Sequence, residues 1–135
     1  VKYTPELYYL TLISAATALM WVPYVLARMT THGVMPAIGT PGAGYPVDVP
    51  WADRARRAHI NAIENLVVFA PLVLVGAIID VSNRATVLSA QVYVVARLAH
   101  YVIYAAGIPV IRTFAFLTGA CATIALAIAL LLSRT

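Results

Sequence analysis

The sequence predicts an all-α integral membrane protein, a four-transmembrane-helix bundle with up-down connections. Three observations predict it. The 135 residues are 62% hydrophobic and only 10% charged, where soluble domains carry about 25% charged residues. The apolar residues gather in four runs, each long enough for the roughly 20 helical residues that cross a bilayer. The last two connections are short, and short turns set consecutive helices side by side and antiparallel.

The first run, Leu7–Ala27, holds no charge. It is too long for the apolar core of a signal peptide and lacks a basic leader and a small-residue cleavage site, so it reads as a retained span. The second runs from about Arg56 to Ile79 and the third from about Ala85 to Ala106. The fourth, Phe114–Leu132, is the most uniformly apolar, and its helix is expected to start near Pro109. With their flanks the helices are expected over about 5–29, 52–79, 84–106 and 109–133 of a single domain, 1–135. Continuous runs exclude the alternating pattern of a membrane β-barrel. Pro23 and Pro71 fall inside the first two spans, where proline is tolerated with a kink. Thr30–Pro50 is a loop rich in Gly and Pro. Asp80–Arg84 and Gly107–Pro109 are tight turns.

Nine basic and five acidic residues give a net charge of +4. The bases are too few and too scattered to track a nucleic-acid backbone, so no nucleic-acid partner is expected. In a membrane protein such residues set orientation. Arg28, Arg54, Arg56, Arg57 and Arg112 lie on the side of loops one and three. Lys2, Arg84 and Arg134 lie with the termini and loop two. This bias puts loops one and three in the cytoplasm. The lone Cys121 excludes an internal disulfide and reads as a small core residue. No His/Cys/Asp/Glu set has metal-ligand spacing, and there is no Ser/His/Asp arrangement or phosphate loop.

Polar residues inside spans are costly and face a cavity, a partner or a substrate. Arg54, Arg57, Asn61 and Glu64 follow one another at offsets of three, four and three on span two, which places them on one helical face. Arg97, His100 and Tyr104 do the same on span three. Arg97 sits mid-span and needs a counter-charge, for which Glu64 is the best intramembrane candidate. Span two begins where span three ends. Arg57, Asn61, His100 and Tyr104 therefore share one depth, and Arg28 and Arg112 join them from spans one and four. The sum is a cationic pocket suited to a small anion bearing carboxylates.

These residues carry a resemblance. The run Arg54-Ala55-Arg56-Arg57-Ala58-His59-Ile60-Asn61-Ala62-Ile63-Glu64-Asn65, and Arg97-Leu98-Ala99-His100 with Tyr104, Pro109 and Arg112-Thr113, are similar to the signature segments of the MAPEG family. The name denotes membrane-associated proteins in eicosanoid and glutathione metabolism, and the likeness is to its microsomal glutathione transferase and prostaglandin E synthase branch. Trp21-Val22-Pro23-Tyr24 with Arg28, and Pro50-Trp51, resemble bacterial members, which implies a bacterial inner membrane. The resemblance implies a homotrimer with glutathione as co-substrate, held between protomers in the cytoplasmic half of the bilayer. It implies that Arg57, Asn61 and Glu64 of one protomer, with His100, Tyr104, Arg112 and Thr113 of the next, hold glutathione, and that Arg28 reaches the same site. It makes Arg97 structural, paired with Glu64 or a polar neighbour. Arg112 is then the residue expected to ionise the thiol, Thr113 a hydroxyl donor beside it, and a lipophilic small molecule the second substrate.

Two departures stand out. Ile60 occupies a position where the prostaglandin synthase has arginine, and the Tyr104–Arg112 spacing differs by one residue from that enzyme's. The first argues against prostaglandin synthase activity in particular, and the second implies a different placement of Arg112 by the turn before span four. The alternative within the family is a non-catalytic lipid-binding or scaffold subunit of a larger membrane complex. A proton or ion pathway through Glu64, Arg97 and His100 is disfavoured, because these groups cluster in one leaflet and the chain has no inverted repeat.

Overall fold

A computed structural model describes residues 1–42 and 44–134; position 43 in loop one and position 135, the end of the expected domain, lie outside the described residues. The described residues form six helices: α1 (Pro5–Leu19), α2 (Trp21–His32), α3 (Val34–Ala37), α4 (Pro50–Ile78), α5 (Arg84–Ala106) and α6 (Pro109–Leu132). Taken together, α1 and α2 make one apolar stretch, and with α4, α5 and α6 they are four helices long and apolar enough to cross a membrane.

Local chemistry sets the helix ends. Pro5, Pro50 and Pro109 open α1, α4 and α6, at positions where the missing N–H has no partner to lose. Asn83 caps α5, accepting from the Ala85 and Thr86 amides at 2.9 and 3.2 Å, while Thr86 Oγ1 accepts from the Asn83 amide at 2.9 Å. Gly107 ends α5 at φ 81°, ψ 27°, a left-handed conformation that glycine adopts without cost. The kink expected at Pro23 takes the form of a one-residue interruption at Met20, between α1 and α2, where the backbone stays in the right-handed helical region (φ −64°, ψ −17°). A proline ring clashes with the carbonyl four residues back, here Leu19, so the helix yields one residue later. The Met20 carbonyl accepts the Tyr101 hydroxyl at 2.8 Å. Pro71, by contrast, lies within an uninterrupted α4.

Contacts along the helices give the up-down order. Near one face, the buried Glu6 carboxylate of α1 accepts from Ser82 Oγ at 3.0 Å and from Thr86 Oγ1. Near the other, Arg54 at the start of α4 donates to the Ala105 carbonyl at the end of α5, at 3.1 Å. α5 is the central element and packs on α1, α4 and most closely on α6. Its core partners are Leu10, Ile13, Phe69, Val73, Ala122 and Leu126, and the rings of Phe69 and Tyr93 stack at 3.7 Å.

Loop one is more ordered than its composition predicts. It carries the short α3, and Arg28 ties it down by donating Nε and Nη2 to the two Asp48 carboxylate oxygens, both at 2.8 Å, and Nη1 to Tyr45 OH at 2.7 Å. Tyr45 OH in turn donates to the Ala37 carbonyl at 2.9 Å. The guanidinium hydrogen-bonded to Asp48 holds its carboxyl below the usual carboxylate range.

Candidate functional site

The face that α4 buries runs through Ala55, Ala58, Ala62, Phe69, Val73 and Gly76. Small residues there let α5 approach, and Asn61 and Asn65 border this stripe one turn apart. α5 presents Tyr93, Arg97, His100 and Tyr104 to the same region. The first turns of α6 bring Arg112, Thr113 and Phe116. Asn61, His100, Tyr104, Arg112, Thr113 and Phe116 together line a cleft of about 240 Å³. A second cleft, of about 390 Å³, adjoins it and is lined by Arg56, Arg57, Ile60, Asn61, Glu64 and Tyr104. Asn61 and Tyr104 line both, so seven of the sequence-expected site residues border two adjoining clefts of a single protomer: Arg57, Asn61, Glu64, His100, Tyr104, Arg112 and Thr113.

The rim charges differ in how far they are committed. Arg56 and Arg57 both reach Asp53, at 3.4 and 2.9 Å. The Arg112 guanidinium lies 4.6 Å from the centre of the Tyr104 ring. The three ion pairs among the described residues include neither Arg112 nor Glu64. Thr113 Oγ1 donates back to the Pro109 carbonyl at 3.3 Å, and His100 packs edge-on against Tyr104, with centroids 5.6 Å apart.

Arg97 departs from the expected ion pair. It is 1% exposed, and no carboxylate lies within 4.0 Å of it among the described residues. It donates Nη1 to Asn61 Oδ1 at 3.2 Å, and Nη2 to Asn65 Oδ1 at 3.1 Å and to the Phe116 carbonyl at 3.3 Å. Its guanidinium also lies 5.6 and 5.1 Å from the ring centres of Tyr93 and Phe116. Glu64 is exposed on α4. At 100° per residue it falls nearly opposite Ala62, the middle of the buried stripe, so it points away from Arg97. The polar-neighbour alternative is the one that forms, with amide oxygens standing in for the carboxylate.

Arg28 lies apart from the Asn61–Arg112 cleft. It borders a separate cavity of about 450 Å³ with Tyr24, Tyr45, Asp48, Asp53 and Arg56. Cys121, read as a core residue, is instead exposed on the outer face of α6 and lines an apolar groove with Leu88, Val92 and Leu117; Gly119, Ala122 and Leu126 take the inward positions. Asn65 and Asp48 were not singled out from the sequence. Asn65 could have been found by its spacing of four from Asn61, which puts both amides toward one partner. No local signal marks Asp48. Among the described residues no group of three His, Cys, Asp or Glu side chains is placed to hold a metal.

No curated protein matches the chain. The family model of the MAPEG family matches residues 7–132, nearly the whole length. With that match, and with four helices long and apolar enough to cross a membrane, the chain belongs to the MAPEG family and is an integral membrane protein.

Proposed function

We propose that the protein is a glutathione-dependent transferase or peroxidase that acts on lipophilic substrates. The observation that carries this reading is the meeting of an uncommitted Arg112 with Thr113, His100, Tyr104 and Asn61 around one cleft. Glutathione is an anionic tripeptide. Its carboxylates suit Arg57 and the Asn61 amide, and its ammonium suits the unpaired, exposed Glu64. The thiol becomes a nucleophile only as thiolate, and a guanidinium beside it favours the charged form. Arg112 takes that role, and Thr113 Oγ1, now bonded to a backbone carbonyl, can turn to donate to the sulfur.

The thiolate then attacks an electrophilic carbon, forming the C–S bond as the leaving group departs. With a hydroperoxide it attacks the O–O bond instead, releasing the alcohol and leaving a sulfenic acid that a second glutathione converts to disulfide and water. The lipophilic partner arrives from the bilayer. Supporting a homotrimer are the exposed Glu64 and the run of exposed Ile63, Val67, Val68, Leu74 and Val75 on α4, a face that a neighbouring protomer would cover. A neighbour would also bring a second set of site residues to each cleft, Arg28 among them. Loops one and three face the cytoplasm of a bacterial inner membrane in this reading.

One observation favours the alternative of a non-catalytic lipid-binding or scaffold subunit: Ile60 puts an apolar side chain on the rim of the cleft. Turnover decides between the two. The purified protein should conjugate glutathione to an aromatic halide or reduce a lipid hydroperoxide, and Arg112→Ala should lower kcat by about a hundredfold, the cost of removing one preorganised electrostatic donor. Turnover that is unchanged in both Arg112→Ala and Arg57→Ala would overturn the proposal.

A further inference from the structure

We infer that Arg97 is a positioning residue that sets which end of the Asn61 carboxamide the ligand meets. The inference rests on the functional reading above and deepens it. A guanidinium has only donors. The atom Asn61 turns toward Arg97 Nη1, at 3.2 Å, must therefore be its oxygen. Asn65 Nδ2 donates to the same oxygen at 3.3 Å and to the Asn61 backbone carbonyl at 2.8 Å. With Oδ1 taken by two donors, the Nδ2 group faces the other way.

That other side is the cleft. Asn61 lines both clefts. Among the described residues its Nδ2 has no hydrogen-bond partner, and it is not among the buried polar atoms lacking one. Two N–H donors are thus presented to the ligand. Arg97 itself cannot reach it, being 1% exposed and enclosed by Tyr93, Phe116 and Gly119.

An unrestrained asparagine amide can flip and offer either a donor or an acceptor. This one is restrained to donate. At this position the site takes a carboxylate or a peptide carbonyl and rejects an ammonium. The buried arginine is thereby explained without a counter-ion, because its function is to define a neutral neighbour. Asn65 completes the device by closing the one remaining lone-pair direction of Oδ1.

Two measurements test this. The first needs no ligand and compares thermal unfolding of Asn61→Asp and Asn61→Leu in detergent. Aspartate offers Arg97 an oxygen in the same place, so its Tm should stay within a few degrees of wild type. Leucine strands the Nη1 donor and should lower Tm by roughly 5 °C or more. Equal losses in the two variants would overturn the inference. The second measures calorimetric affinity for reduced glutathione at a temperature where every variant is folded. Arg97→Lys keeps a donor-only partner and should bind within about threefold of wild type. Arg97→Gln, which can offer Asn61 a donor or an acceptor, should bind at least about tenfold more weakly. A purely structural arginine would leave the two folded variants with equal affinity, and that result overturns the inference while the functional reading stands. If the wild type binds no reduced glutathione, the functional reading fails and the unfolding comparison alone decides the inference.

Discussion

Gly119 on α6 lies against the Arg97 guanidinium, and replacing it with alanine probes how tightly that group is held. A Cβ built at Gly119 falls 2.8 Å from both Nε and Nη2 of Arg97 and 3.0 Å from Cζ. The methyl cannot be absorbed by swinging the side chain aside, because the guanidinium is bonded to Asn61, Asn65 and the Phe116 carbonyl and flanked by two rings. Either α5 and α6 part or Arg97 surrenders a hydrogen bond. Overpacking costs about 1–3 kcal/mol, and a lost hydrogen bond to a charged group about 1.5–3 kcal/mol. The better helix propensity of alanine returns about 1 kcal/mol. The net expectation for Gly119→Ala is a destabilisation of about 0.5–2 kcal/mol, read by circular dichroism as thermal or SDS-driven unfolding in detergent. A variant as stable as wild type would show that the contact between α5 and α6 is looser than described and that Arg97 is free to move.

Other perturbations separate the site from its supports. Glu6→Ala leaves the Thr86 and Ser82 hydroxyls without their acceptor and should cost about 1–3 kcal/mol; glutathione affinity should not change, because Glu6 lies at the opposite end of α5 from Tyr104. Asp48→Asn removes the bidentate partner of Arg28, and proteinase K should then cut within loop one at a rate the wild type does not show. The same latch gives a pH dependence. Its folded-state carboxyl is depressed, so its stabilisation is present above the unfolded value of about 3.9 and is lost as pH falls through the folded one. Pepsin cleavage in loop one should rise only below that range. Tyr101→Phe removes the donor to the Met20 carbonyl at the α1–α2 junction and should lower stability by about 1 kcal/mol, with turnover unchanged.

The spans were legible because the cost of desolvating polar groups leaves long apolar runs few alternatives, and the tight turns at Asp80–Arg84 and Gly107–Pro109 followed from their Asp, Asn, Gly and Pro residues. The convergence of Asn61, His100, Tyr104 and Arg112 was legible too, since helix direction and offsets of three and four fix relative depth. The partner of Arg97 was not, because matching charges favoured Glu64. The correct answer lay in the helical angle: Ala55, Ala58 and Ala62 mark the buried face of α4, Asn61 and Asn65 border it, and Glu64 faces away. Pro23 signalled a kink, but the partner of the Met20 carbonyl at that point is Tyr101 OH, from a residue 81 positions away. The Arg28–Asp48 latch across loop one joins residues 20 apart through irregular backbone, where no periodicity relates them.

The most direct test of thiol activation is the ultraviolet thiolate absorbance of glutathione added to the detergent-purified protein at neutral pH, with Arg112→Ala alongside. A thiolate band in the wild type that vanishes in a folded Arg112→Ala variant is the predicted result. A folded wild type that gives no band, or a band that survives the loss of Arg112, would contradict the account.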